Sequence, residues 1–155
     1  MIARIAKRFT FDAAHFIPGL PPNHKCSRMH GHTYEVEIQL VGPVDDRGFV
    51  IDYADIAEAW RVVHDLVDHQ TLNHVAGLEQ PTTENLAAWI VRRLANHDLL
   101  VKEMVVYDSS GVRPYDRPRR TLLERVVVRE SSTTWCEVIV EAGPGIPATW
   151  WSLGR

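Results

Sequence analysis

Three histidines lie where two predicted β-strands meet. His30 and His32 flank Gly31 at the start of an alternating run that predicts a strand, so their imidazoles project from one face. His15 ends a preceding alternating run, residues 4–16. Because neighbouring strands lie roughly 5 Å apart, three imidazoles can converge there and supply three of the four ligands of a zinc ion. An open fourth position is typical of a catalytic zinc, and a chance cluster among the chain's eight histidines is the alternative.

Cys26 precedes this cluster, after a polar loop rich in proline at residues 17–25. Lys25 and Arg28 lie beside it, and positive charge favours the reactive thiolate. The alternative is a small buried hydrophobic residue, as most free cysteines are. The second cysteine, Cys136, is interpreted as structural, and both are expected to be free thiols in a reducing compartment.

Other polar residues lie at the ends of predicted elements. Asp68 and His69 close the first predicted helix, where a protonated imidazole would meet the negative end of the helix dipole. They could equally be a carboxylate that orients an imidazole for proton transfer. Glu130 follows a strand and is by default a solvated carboxylate. The run 81–85 is explained as a helix start and is given no chemistry. No chemistry is assigned to the remaining histidines, which are His24, His64, His74 and His97.

The elements that must position these residues mix both types of secondary structure. Helices are predicted over 53–68 and 83–96, with Asp52 and Thr82 as N-caps and an apolar stripe on each helix. Strands are predicted over 4–16, 30–40, 105–107, 122–129 and 135–140. This pattern favours an α+β fold, ordered ββααββ, with a four-stranded antiparallel sheet and two helices on one face.

The composition limits the class of protein. The chain has 155 residues, which fits one domain, 1–142, followed by a tail rich in glycine and proline, 143–155. A hydrophobic content of 45% and a charged content of 24% are those of a globular protein. The net charge of -3 provides no basic face for nucleic acid, and no segment is apolar enough to span a membrane. A cytoplasmic location is therefore expected.

Six motifs in one order carry a family resemblance. They are Phe11 to His15, Cys26 to His32, Gly48 to Asp52, Val67 to Asn73, Pro81 to Asn85 and Val128 to Glu130. Together, from about residue 5 to residue 137, they resemble the 6-pyruvoyltetrahydropterin synthase family. The three residues between Cys26 and His30 are similar to the bacterial 6-carboxytetrahydropterin synthase branch, since animal-type pyruvoyl enzymes have a longer gap.

The resemblance implies an architecture and a set of residue roles. It implies a T-fold, or tunnelling fold, in which three sheets join into a barrel and two trimers stack as a homohexamer with active sites between subunits. It implies that His15, His30 and His32 bind Zn²⁺. Cys26 then matches a proton-transferring cysteine, with Asp68 and His69 as its partners from an adjacent subunit, and Glu130 matches a glutamate that anchors the pterin. Lys25 and Arg28 are expected, from position alone, to bind triphosphate.

The implied reaction converts 7,8-dihydroneopterin triphosphate to 6-carboxy-5,6,7,8-tetrahydropterin, acetaldehyde and triphosphate, for queuosine or a related 7-deazapurine. One alternative is a 6-pyruvoyltetrahydropterin synthase, which eliminates triphosphate and keeps the side chain. Another is a zinc- or pterin-binding module without catalysis. The segment 101–121 is longer than is usual in the bacterial branch, which suggests an extra hairpin or flap, and the tail has no counterpart in the family.

Overall fold

A five-stranded, mostly antiparallel sheet forms the centre of the protein. The computed structural model describes residues 1–95, 103–104, 119–120 and 122–140. The strands are β1 (Ile2–His15), β2 (His30–Pro43), β3 (Gln70–Thr71), β4 (Glu103–Met104), β5 (Arg119–Arg120), β6 (Leu122–Arg129) and β7 (Trp135–Ile139). The main sheet has the order β3-β1-β2-β6-β7, and its four longer strands are antiparallel, as predicted. The predicted strand 105–107 and the tail 143–155 lie outside the described residues.

The pairing of β1 with β2 sets the position of the histidines. Its register runs without a break from Ile2 opposite Pro43 to His15 opposite His30. Exposed and less exposed side chains alternate along most of β1, as a strand with one buried face requires. The end of β1 and the start of β2 therefore lie side by side at one end of the sheet.

Two helices pack on one face of the sheet. Helix α1 (Tyr53–Val67) begins after Asp52, whose carboxylate accepts a hydrogen bond from the backbone N–H of Ala54 at 2.8 Å. Helix α2 (Thr83–Ala95) begins after Thr82, whose hydroxyl accepts one from the N–H of Asn85 at 3.3 Å. The apolar stripes of both helices belong to the same buried core as the sheet residues, and they include Ile56, Trp60, Val63, Val67, Leu86, Ile90 and Leu94. The predicted caps and stripes are confirmed.

The structure adds strands that the sequence did not indicate. The two residues of β3 pair in parallel with Ala13 and Ala14 of β1, which makes the main sheet five-stranded rather than four-stranded. A two-residue strand has no periodicity that a sequence pattern could reveal. A separate antiparallel pair, β4 with β5, lies within the segment where an extra hairpin was suggested. Helix α1 ends one residue earlier than predicted, because Asp68 is its C-cap.

The two faces of the sheet differ in chemistry. The face beneath the helices is apolar and includes Phe11, Tyr34, Val36, Ile38 and Val126. The opposite face carries ion pairs between neighbouring strands, among them Arg8 with Glu37 at 2.7 Å and Arg129 with Glu35 at 3.0 Å. In the described part of the chain, no helix is long and apolar enough to cross a membrane.

Candidate active site

The three predicted metal ligands converge at the end of the β1–β2 pair. One ligand atom from each of His15, His30 and His32 lies within 4.8 Å of the other two. The centroids of the His15 and His30 rings are 4.5 Å apart, and the His32 ring lies 5.2 Å from that of His15. This cluster follows from the register, which puts His15 opposite His30 and His32 one pleat further along the same face.

Backbone carbonyl groups orient two of these imidazoles. Nδ1 of His15 lies 2.8 Å from the carbonyl oxygen of Pro81, and Nδ1 of His30 lies 2.8 Å from that of Arg28. Because a carbonyl oxygen can only accept, each Nδ1 is the donor, and in the neutral imidazole the free lone pair is then on Nε2. Nε2 of His15 is buried without a hydrogen-bond partner. A lone pair held in this way fits a metal ion, since a metal ligand usually has its other ring nitrogen bonded to a fixed acceptor.

Burial keeps His15 neutral. Its side chain is only 2% exposed, and desolvation lowers the pKa of its imidazole below the usual value, more strongly than the bond to Pro81 raises it. Only a neutral imidazole can be a metal ligand. The site therefore favours the form of His15 that binds a metal.

Cys26 lies in a short turn beside the histidines. A 3₁₀ turn at Lys25–Ser27 carries it, and its thiol is half-buried. The carbonyl oxygen of Cys26 accepts a hydrogen bond from the N–H of Ile17 at 2.7 Å, which ties the turn to the chain just after β1. The loop thus delivers the cysteine to the end of the sheet where the ligands lie.

A cleft of about 830 Å³ joins the histidine cluster to the other predicted residues. The predicted site residues that line it are Lys25, Cys26, Arg28, His15, His30, His32 and Glu130. Glu130 follows β6, and its N–H donates to the carbonyl of Thr134 across a tight turn at 3.2 Å. Seven of the nine predicted site residues therefore share one concave surface.

Asp68 and His69 lie elsewhere, at the outer edge of β1. Neither residue is among those that line the cleft. Oδ2 of Asp68 is 2.8 Å from Nδ1 of His69, and its Oδ1 accepts a hydrogen bond from the N–H of Asp12 at 3.0 Å. The N–H of His69 donates to the carbonyl of Asp12 at 2.6 Å and holds His69 at a φ of 56°, a strained conformation for a residue with a side chain.

The Asp68–His69 contact shifts the pKa of both groups. The hydrogen bond from Asp12, followed by that from His69, lowers the pKa of the Asp68 carboxyl. The hydrogen bond to Asp68 raises the pKa of His69, whose side chain is 77% exposed. The two residues are thus an oriented carboxylate–imidazole pair that faces solvent in a single chain.

The cleft is also lined by residues for which the sequence predicts no role in the site. Thr82, Thr83 and Glu84, at the start of α2, line the cleft, as do the hydroxyl-bearing residues of the turn after Glu130. The sequence predicts 81–85 as a helix start, which the structure confirms, yet Thr82, Thr83 and Glu84 of that run also line the cleft. No sequence pattern indicates the contact that places them there. The carbonyl oxygen of Pro81 contacts Nδ1 of His15 and holds the start of α2 beside the histidine cluster.

Comparison with known proteins identifies the family. The family model described as 6-pyruvoyl tetrahydropterin synthase matches residues 4–141. The chain belongs to the 6-pyruvoyl tetrahydropterin synthase family. This is a family of enzymes, and the resemblance drawn from the ordered motifs is confirmed.

Two curated proteins show how the family varies. A protein of Archaeoglobus fulgidus named putative 6-carboxy-5,6,7,8-tetrahydropterin synthase is 37% identical over 103 residues, which are 64% of this chain and 83% of that protein. A dihydroneopterin monophosphate aldolase of Pyrococcus furiosus is 31% identical over 113 residues, which are 71% of this chain and 93% of that protein. Relatives of this chain thus carry names for more than one reaction.

A solved structure supports the fold. The 6-pyruvoyl tetrahydropterin synthase of Caenorhabditis elegans superposes with a TM-score of 0.68 over 91% of this chain and 97% of that chain, at 23% sequence identity. The predicted T-fold is therefore confirmed for the single subunit.

Proposed function

We propose that this chain is a zinc-dependent 6-carboxy-5,6,7,8-tetrahydropterin synthase. Its substrates would be 7,8-dihydroneopterin triphosphate and one water molecule, and its products 6-carboxy-5,6,7,8-tetrahydropterin, acetaldehyde and triphosphate. The observation that carries the proposal is the single cleft that holds a three-histidine cluster, a half-buried cysteine and a glutamate. The relatives named as synthases of this product add support.

His15, His30 and His32 would hold the zinc ion. The unpartnered Nε2 of His15 and the carbonyl contacts of two Nδ1 atoms support this choice, because they leave Nε2 as the ligand atom in a cluster whose ligand atoms lie within 4.8 Å of one another. When bound there, zinc would supply a Lewis acid for a substrate oxygen.

Cys26 would move a proton to or from the substrate carbon next to that oxygen. It lines the cleft with the histidines, and Lys25 and Arg28 line the same wall. A positioned acid–base group must lie within hydrogen-bond reach of the proton that it transfers, and the place of Cys26 in the cleft beside the histidines supports this role. The same two cations would bind the triphosphate.

Glu130 would anchor the pterin ring. A carboxylate can accept two parallel hydrogen bonds from a ring N–H and the adjacent exocyclic amine. Glu84 lines the same cleft and offers a second carboxylate to the polar edge of the ring. The hydroxyl groups of Thr82 and Thr83 lie beside it at the start of α2.

A second subunit would complete the site. Asp68 and His69 form an oriented pair and are not among the residues that line their own cleft, so we infer that they act on the cleft of a neighbour. The sheet has edges for such an assembly. Within the described residues, β7 pairs on one side only, with β6, and most of β1 is unpaired beyond β2, which leaves N–H and C=O groups for another chain. Trp135 and Ile139 of β7 are 60% and 58% exposed.

We therefore propose a homo-oligomer whose sheets join into a barrel, most simply a hexamer of two trimers. The barrel would enclose the charged face of the sheet, where the ion pairs already balance the charges. The catalytic domain would span residues 1–142, with 143–155 as a tail. A cytoplasmic location and a role in queuosine or related 7-deazapurine synthesis belong to the same proposal.

The similarity to the Pyrococcus furiosus aldolase supports a second candidate function. An aldolase of dihydroneopterin monophosphate would cleave the side chain without releasing triphosphate. The same zinc, cysteine and glutamate could serve either reaction, since both remove a proton from the side chain. The number of phosphates on the preferred substrate separates the two.

A product assay tests the proposal. The zinc-loaded protein is incubated with 7,8-dihydroneopterin triphosphate and, separately, with the monophosphate, and products are identified by mass spectrometry. We expect acetaldehyde and 6-carboxytetrahydropterin in equal amounts from the triphosphate. Triphosphate release without acetaldehyde would assign the protein to the pyruvoyl branch. Turnover of the monophosphate alone would support the aldolase, and zinc binding without turnover of either compound would leave a binding module.

A further inference from the structure

The backbone of Cys26 is held by an imidazole that does not line the cleft. Nδ1 of His24 accepts a hydrogen bond from the N–H of Cys26 at 3.1 Å, and His24 is thereby the N-cap of the turn Lys25–Ser27. N-caps are usually serine, threonine, aspartate or asparagine, whose side-chain oxygen accepts this same bond. Here a ring nitrogen takes the place of that oxygen.

Other bonds of the turn converge on the same residue. The N–H of Ser27 and its hydroxyl both donate to the carbonyl of His24, at 3.0 Å and 2.7 Å. The N–H of His24 donates to the carbonyl of Pro21 at 2.8 Å. The carbonyl of Cys26 is tied to Ile17. The cysteine is therefore fixed on its amide side by His24 and on its carbonyl side by the chain that leaves β1.

The cap has a consequence for the thiol. Cys26 is half-buried and its turn is three residues long, so the backbone bonds that hold the turn also set the position from which its side chain extends. A group that transfers a proton must be held close to its target, and a displacement of about 1 Å costs up to about a hundredfold in rate. Loss of one bond at the turn would thus be felt at the thiol.

We propose that His24 is a positioning residue for Cys26, acting through the bond from the Cys26 amide to its Nδ1. This inference rests on the proposed function, in which Cys26 transfers a proton. The imidazole itself takes no part in the chemistry, because it is exposed and is not among the residues that line the cleft. Its role is to accept the hydrogen bond from the backbone N–H of Cys26 and so to fix the turn.

Two substitutions of His24 distinguish the loss of the hydrogen-bond acceptor from the loss of the imidazole ring. His24→Ala removes both, whereas His24→Asn removes the ring and restores an oxygen that can cap the turn. His74→Ala, which removes an exposed histidine from another short turn, is the matched control. The zinc-loaded full chain is used throughout, and zinc content confirms that each variant keeps the ligand cluster.

The first measurement is amide hydrogen exchange at Cys26, followed by mass spectrometry with residue resolution. We expect exchange roughly fivefold or more faster in His24→Ala, and near the wild-type rate in His24→Asn and His74→Ala. The second is turnover of 7,8-dihydroneopterin triphosphate. We expect kcat to fall about tenfold or more in His24→Ala with KM nearly unchanged, and to recover in His24→Asn.

Several results would overturn the inference. Unchanged exchange in His24→Ala would show that the bond does not hold the turn. Faster exchange with unchanged kcat would show that the cap does not position the thiol. A loss of kcat that His24→Asn fails to restore would mean that the imidazole acts directly.

A third measurement keeps this test apart from that of the proposed function. If the wild-type protein turns over no pterin, the proposed function fails, and alkylation by iodoacetamide still reports on the turn. Cys136 is the internal reference, because it lies on β7, outside the cleft. We expect the Cys26-to-Cys136 rate ratio to rise about threefold or more in His24→Ala, since a released turn exposes the half-buried thiol, and to stay at the wild-type value in His24→Asn. Equal ratios in the three proteins would reject the role of His24.

Discussion

Nδ1 of His15 donates a hydrogen bond to the carbonyl oxygen of Pro81, 2.8 Å away. This contact links the last residue of β1 to the segment that starts α2. It leaves the buried Nε2 of His15 as a lone pair aimed at the cluster with His30 and His32. This hydrogen bond therefore connects the start of α2 directly to the candidate metal-binding cluster.

Removal of one ligand should release the metal. We expect His30→Ala to lose stoichiometric zinc, because two imidazoles alone bind the ion far more weakly than three. Zinc is measured by mass spectrometry of the purified protein, with His74→Ala as a control that keeps full zinc. One zinc ion per subunit in His30→Ala would contradict the assignment of the cluster.

Removal of the thiol should stop turnover and spare the metal. We expect Cys26→Ala to keep one zinc per subunit and to reduce kcat by about a hundredfold or more, the scale of a lost acid–base group. Cys136→Ala is the matched control, because that thiol packs against the core beneath β7, and its activity should stay near the wild-type value. Wild-type rates in Cys26→Ala would remove this residue from the mechanism.

The Asp68–His69 contact should be visible in a titration. Asp68 raises the pKa of His69, so Asp68→Asn should move the His69 titration to lower pH. The raised pKa also means that the pair stabilises the folded state below the pKa of an unfolded histidine, and that this stabilisation is lost as pH rises through the folded value. NMR of protein with labelled histidine measures the shift. The same titration in wild type and variant would show that the contact is absent in solution.

The proposed sharing of active sites between subunits predicts complementation between inactive chains. Cys26→Ala and His69→Ala should each be inactive as homo-oligomers, since each lacks one part of every site. Co-expression, or mixing after dissociation, should restore part of the turnover, because some sites then combine an intact cleft with an intact neighbour. As a control, each variant is mixed with the wild-type chain by the same procedure. Mixed oligomers without regained activity would mean that Asp68 and His69 serve no neighbouring cleft.

Gly31 should be required for the spacing of the ligands. A Cβ at this position would lie 3.2 Å from the carbonyl oxygen of Ala13, a backbone atom that moves only with β1. We expect Gly31→Ala to lower the free energy of unfolding by about 1–3 kcal/mol and to weaken zinc binding, because β1 carries His15. Denaturant unfolding and zinc titration measure both, with Thr10→Ala, an exposed position on the neighbouring strand β1, as a control. Unchanged values would show that the strands accommodate the methyl group.

Local patterns in the sequence predict most of the secondary structure of the chain. The alternation along β1 and β2, the caps at Asp52 and Thr82, and the apolar stripes of both helices each depend on neighbours in the chain, so the sequence predicts them. The same alternation puts His30 and His32 on one face, and the expectation that His15 joins them needs only adjacent strands. The ordered motifs identify the family for the same reason, since they are local.

The tertiary structure alone decided the rest. The start of α2 lines the cleft, and Asp68 and His69 do not, because the chain path between distant elements sets both positions. No local pattern reports that path. The short strand β3 and the bond from Cys26 to His24 depend on single backbone contacts whose geometry no residue type fixes. Thus the sequence determined which residues could do the chemistry, and packing over long distances determined which of them share a site.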